Sequence, residues 1–276
     1  MLRKIMSVLA VSVVLLPGKA RAAEAAPIPP VMVALGDSIS AGFNACGWYV
    51  SCTSRSWSTG DNAEVDSHYL RLLAGSTVIK GHNLNFAVPG TTSAGLAAQT
   101  AEAVARRASY VTILIGAQDA CAGDEGDMTP VMAFRRHIDA AMAVLRDSAA
   151  PARVFVASVP DLMRLWRIGK DDLLARTFWT VGHLCQAMLA HPASMAKTDR
   201  ARRERIRHRV MDYNDQLAAA CRAYGPGCKY DGGAVFRYPF TLKMISKWDF
   251  FHPNAAGQRA LAETTFKAGF TWEGRT

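Results

Sequence analysis

Val31–Leu35 is wholly apolar and runs straight into Gly36-Asp37-Ser38-Ile39-Ser40. A short apolar run closed by a turn signal reads as a buried strand, and Gly36 permits a sharp exit from it. Ser38 is then expected where the chain turns from strand into helix. Backbone N–H groups at a helix start are unpaired and point outward, so an acyl oxygen gaining negative charge beside Ser38 meets donors already in place. That is the position of an acyl-transfer nucleophile; the plain reading of Gly-Asp-Ser is an ordinary loop turn. The pattern recurs. Val111–Ile115 is followed by Gly116-Ala117-Gln118-Asp119, and Arg153–Pro160 fits a further strand ahead of a long irregular excursion.

A serine hydroxyl is a poor nucleophile without a base. Near the other end of the chain, Trp248-Asp249-Phe250-Phe251-His252-Pro253-Asn254 precedes Ala255–Phe266, whose alanines and leucine suggest a helix capped by Asn254. His252 therefore lies on a loop. Asp249 stands three residues earlier, a spacing that a tight turn closes to bring the carboxylate onto imidazole Nδ1–H and leave Nε2 free for the Ser38 proton. None of His68, His82, His137, His183, His191 and His208 combines an acidic neighbour with a loop ahead of a helix.

In Leu84–Thr92 a strand-like run ends at Gly90, whose unhindered N–H suits a reacting carbonyl oxygen; the alternative is a turn glycine after Pro89. Gln118 offers a side-chain N–H to the same oxygen, or else it and Asp119 cap the next helix. Each candidate falls just beyond the carboxyl end of an apolar run. Open parallel α/β sheets form their ligand sites there, so separate turns converge on one crevice.

With these residues in hand, the chain resembles the SGNH (GDSL) hydrolases, and more closely their secreted bacterial lipase and esterase branch. Gly36-Asp37-Ser38 is similar to the family's first block, Gly90 to the glycine of the second, Gly116-Ala117-Gln118-Asp119 to the third, and Asp249 with His252 to the last. The likeness spans essentially the whole mature chain. It implies a three-layer α/β/α sandwich around a central parallel sheet, flavodoxin-like in order, and a carboxylic ester hydrolase working through an acyl-enzyme. In that reading Ser38 attacks, His252 is base and then acid, Asp249 orients it, and the Ser38 and Gly90 N–H groups with Gln118 form the oxyanion hole, with no cofactor. At Gln118 the family carries asparagine, so the amide sits one methylene further from the backbone. A carbohydrate O-acetyl esterase, or a weakly active or non-catalytic lipid- or glycan-binding member, are the alternatives. The α/β-hydrolase elbow is excluded because Ser40 occupies its second glycine position, and no phosphate-cradling glycine pattern surrounds Gly36.

Arg3 and Lys4, the nearly continuous apolar stretch Ile5–Leu16 and the small residues around Ala20-Arg21-Ala22 read as a secretory signal peptide, residues 1–22, with cleavage after Ala22 or Ala26. Residues 23–276 are expected to form one domain, entered through a loose Ala22–Pro30 segment, and no later stretch suits a membrane span. Export to the periplasm or medium makes disulfides the expected use of the six cysteines. Fifteen pairings are formally open; short separations favour local pairs, and the family's secreted branch is similar to Cys46–Cys52, Cys121–Cys185 and Cys221–Cys228. No metal-ligand spacing occurs. The net charge of +9 owes four bases to the signal segment. Much of the rest lies in Lys197–Arg209, read as a solvated helix face with Ile206 and Val210 turned inward. Nucleic acid is not expected as a partner; a small-molecule or lipid ester is, with peripheral contact to anionic surfaces left open. Trp166, Phe178, Trp179, Met188 and Met195 in the excursion Asp161–Ala196 form either a crevice wall or helical core.

Overall fold

A computed structural model describes residues 25–273; the signal-peptide reading, residues 1–22, lies outside them. Five parallel strands, β1 (Met32–Gly36), β2 (Asn83–Asn85), β3 (Tyr110–Leu114), β4 (Arg153–Val156) and β5 (Cys228–Tyr230), lie in the order β2-β1-β3-β4-β5. Met32 pairs with both Asn83 and Tyr110, Tyr110 with Arg153, and Val154 with Cys228. β1 and β3 are buried on both faces, which explains their continuous apolar runs.

The helices are α1 (His68–Leu73), α2 (Leu96–Ala105), α3 (Ala117–Ala120), α4 (Val131–Arg146), α5 (Leu162–Gly169), α6 (Leu173–Val181), α7 (Gln186–Leu189), α8 (Lys197–Tyr224), α9 (Ala234–Arg237) and α10 (Ala255–Ala268). On one face α4 packs between α2 and α8, and Phe134 of α4 stacks on Tyr213 of α8 at 4.3 Å. Alternate strand residues point the other way: Tyr110 and Phe155 meet His68 of α1 there. His68 is fully buried and fully bonded. Thr265 of α10 donates its hydroxyl to Leu261, so it accepts from His68 Nε2–H, and Nδ1 accepts from Tyr110 O–H. Burial pushes the His68 pKa down to about 3 and keeps the ring neutral. The result is the expected three-layer α/β/α sandwich, with the five-strand order of flavodoxin-like sheets.

Four details differ from the sequence reading. No helix follows Ser38: Ala41 N–H reaches Asp37, but Phe43 N–H overshoots to Ser38 and Gly42 turns left-handed at φ 63°. A Cβ at Gly42 would overlap the Cys52 carbonyl, so the packed loop behind it stops helical winding. β2 ends at Asn85, short of Val88. The lead-in is not loose at Ala26, which is buried and bridged to Trp272 through bonds to Thr271 and Glu273. Finally, Ile206 and Val210 are buried as expected, but so is Arg203. It lies 4.3 Å over the Trp166 ring and donates to the carbonyls of Ser194 and His191. Trp166, Trp179 and Met188 belong to the core, Phe178 packs against it and Met195 is exposed.

Candidate active site

Gly36 closes β1 at φ 137°, where a Cβ would overlap the Leu114 carbonyl of β3. Only glycine lets the two strands end this close. Gln99 of α2 grips that glycine from both sides, accepting from its N–H at 2.8 Å and donating to its carbonyl at 3.0 Å. The chain leaves the sheet with Ser38 half-buried at the rim.

His252 comes to it from the far end of the chain. Its Nε2 accepts from Ser38 Oγ at 2.8 Å and its Nδ1–H donates to Asp249 Oδ2 at 2.7 Å. Asp249 Oδ1 takes the N–H groups of Phe251 and His252 at 2.9 and 3.0 Å, which is how a three-residue spacing folds the carboxylate back onto its own turn. Burial works against the Asp249 charge, but the His252 hydrogen bond, its charge and the two N–H donors outweigh it and hold the carboxyl below its ordinary value. Phe43 and Phe251 each present an edge contact to the imidazole, at 4.9 and 5.0 Å, and fix its plane.

Ser38, Gly90 and Gln118 line one crevice of about 280 Å³, together with Phe43, Pro89, Phe251 and His252. The backbone N–H groups of Ser38 and Gly90 donate to no protein acceptor among the described residues, and the Gln118 side chain is exposed and likewise without a partner. Gly90 turns left-handed at φ 77° in open space. The expected disulfides Cys46–Cys52, Cys121–Cys185 and Cys221–Cys228 are all present, and the second forms part of the crevice wall beside His183 and Leu184. Behind His252 lies a smaller apolar cavity of about 60 Å³, lined by Ile39, Ala117, Leu165, Phe240 and Leu261.

Several supporting residues escaped the sequence reading. Asn44 donates to Asp249 Oδ2 and accepts from Tyr49 N–H. Asp119 is buried: it takes Ser93 N–H at 2.8 Å and Ser93 O–H at 2.6 Å, while His137 Nδ1–H donates to the same hydroxyl at 2.9 Å. It therefore staples the segment after Gly90 to the turn that carries Gln118, and is neither a helix cap nor solvated. Asp37 is buried with one oxygen on Ile39 N–H and the other unpartnered. Burial raises its pKa to about 7, partly offset by that N–H and by the charge of His252. Nothing in residue spacing marks Asn44 or His137; Asp37, next to Ser38, and Asp119, next to Gln118, lie within the motif stretches but without any signal of their burial.

The GDSL-like Lipase/Acylhydrolase family model matches residues 34–260. Among solved structures, the chain is similar to a catalytic mutant of Axe2, an acetylxylan esterase from Geobacillus stearothermophilus, at 13% identity and a TM-score of 0.51 over 89% of this chain and 95% of that one. It is also similar to an extracellular lipase from Streptomyces rimosus, at 21% identity and a TM-score of 0.47 over 86% and 98%. No curated protein matches it significantly. The family match spans the crevice from β1 to α10, and the chain therefore belongs to the GDSL-like lipase/acylhydrolase family as a carboxylic ester hydrolase.

Proposed function

We propose that the protein is an exported serine esterase that forms an acyl-enzyme at Ser38. The observation that carries this reading is the 2.8 Å contact between Ser38 Oγ and His252 Nε2, continued by 2.7 Å to Asp249. Oγ attacks the ester carbonyl carbon while its proton passes to Nε2. Asp249 stabilises the imidazolium, and the Ser38 and Gly90 N–H groups with the Gln118 amide receive the oxyanion. Collapse breaks the bond to the alcohol oxygen, which takes the Nε2 proton as it leaves. Water then gives a proton to His252, attacks the acyl carbon, and releases Ser38 with that proton restored.

Export is supported by the charged and apolar N-terminal segment and by three disulfides. No helix among the described residues is long and apolar enough to cross a membrane. An acyl-chain profile with acetyl, butyryl and octanoyl aryl esters, beside acetylated xylan, tests the reading. Ser38→Ala lowers turnover at least about 10⁴-fold and abolishes labelling by an active-site phosphonate; retained turnover in that variant overturns the mechanism. A profile confined to acetylated carbohydrate assigns the protein instead as an O-acetyl esterase. In the same assay Gln118→Ala slows turnover by up to about 100-fold, the low end for losing an oxyanion donor, because its amide is reached from a longer arm.

A further inference from the structure

Two chain segments that line the crevice lead on to the two most exposed large apolar side chains among the described residues. One wall runs from Phe43 into a loop carrying Trp48, 72% exposed; the other emerges from α6, whose last residue Val181 is 74% exposed and stands two residues before His183.

Neither is an isolated side chain. Trp48 and Trp248 have ring centroids 4.7 Å apart, Tyr49 meets Trp248 edge-on at 6.1 Å and donates its hydroxyl to the Trp248 carbonyl, and Val50 beside them is also exposed. The loop is held in that display. Cys46–Cys52 closes it, Asn44, Trp48 and Tyr49 adopt left-handed φ of 59°, 66° and 54°, and a Cβ on Gly47 would overlap the Trp248 indole. Non-glycine residues keep such conformations only where surrounding structure imposes them. On α6, Leu173, Leu174 and Val181 fall on one side of the helix and all three are exposed. Its inward side is anchored by Trp179, whose indole N–H donates to the Phe250 carbonyl, and by Phe178, 5.4 Å from the Phe250 ring. Both patches are thus mounted on the segment 248–252 that carries Asp249 and His252.

We infer that this rim docks the protein on an anionic phospholipid surface, so that an ester reaches Ser38 directly from the lipid layer; the inference rests on the crevice being the ester site. Trp and Tyr favour the headgroup level of a membrane, and the aliphatic groups enter the acyl boundary beneath it. Lys247 is exposed and adjoins Trp248 in sequence, Lys243 is exposed on the same segment, and Arg176 is half-buried on α6, which gives the rim cations for anionic headgroups. A sugar ring would stack on Trp48 and Trp248 but would leave Leu173, Leu174 and Val181 without a role.

The test is sedimentation of the full mature protein with phosphatidylglycerol/phosphatidylcholine vesicles and with phosphatidylcholine alone, compared with Trp48→Ser/Val50→Ser and Leu173→Ser/Leu174→Ser/Val181→Ser. The parent sediments with the anionic vesicles, and each variant set weakens that binding about tenfold or more while turnover of a soluble acetate ester stays within about twofold. The inference is overturned by a parent that stays in solution, by variants that bind as the parent does, or by variants that lose only retention on insoluble acetylated polysaccharide. Vesicle binding without turnover of any soluble ester overturns the esterase reading and leaves the docking surface standing.

Discussion

At the residue scale, the candidate oxyanion donors owe their placement to a neighbour that never reaches the crevice. Asp119 holds Ser93 by both its N–H and its hydroxyl, and Ser93 is three residues beyond Gly90 while Asp119 follows Gln118. Asp119→Ala frees both loops at once, so kcat is expected to fall about 10- to 100-fold, less than outright removal of every donor. An unchanged kcat with only KM raised would mean that Asp119 shapes substrate binding and not the oxyanion donors. Asp37 makes a different prediction. Folding favours its protonated form, so between the ordinary carboxyl value near 4 and its raised value of about 7 the folded chain holds a proton that the unfolded chain releases. Its contribution is full below that window and lost as pH rises through it. Asp37→Asn removes the dependence, and the melting temperature of the variant relative to the parent should climb between pH 4 and pH 8, by roughly 2–4 °C per kcal/mol. A gap that does not change with pH refutes this.

At the scale of elements, β1 and β3 were legible within a residue because buried parallel strands are apolar on both faces and glycine ends both runs, whereas β4 starts at Arg153 as read but ends at Val156, four residues short of Pro160. α10 was legible from Asn254, whose side chain caps it by accepting from Gly257 N–H. The turn after Ser38 was not, since what stops a helix there is the carbonyl of Cys52, brought in by packing. Arg203 looked like its neighbours in an arginine-rich helix; only the excursion folding over α8 supplies the carbonyls and the Trp166 face that bury it. The same excursion is fastened to the end of α3 by Cys121–Cys185, across 64 residues. Replacing both cysteines by alanine should cost about 2–5 kcal/mol and raise KM, because the bond forms part of the crevice wall; an unchanged melting temperature would show that α5–α7 need no fastening.

At the scale of the molecule, 214 residues separate Ser38 from His252, and the fold closes that distance by tying α10 back to the exit of β1, where Gln258 donates to the Ile39 carbonyl. The far ends meet elsewhere too. Ala26 bridges Trp272, so the proposed removal of a signal segment after Ala22 would keep a contact that removal after Ala26 would lose. Under the proposed export, N-terminal sequencing of the mature protein is expected to read Ala23, and a start at Pro27 would contradict this. The chain alone determined β1, β3 and the start of β4, the glycine exit that presents Ser38, the Asp249–His252 spacing and the family, since these depend on local periodicity and on short-range geometry. Tertiary structure decided which polar groups became supports and which apolar ones stayed outside. Asn44, Gln99, Asp119 and His137 act through partners far away in sequence, and Trp48 and Val181 differ from core residues only in what folds over them; burial is a property of the assembled whole.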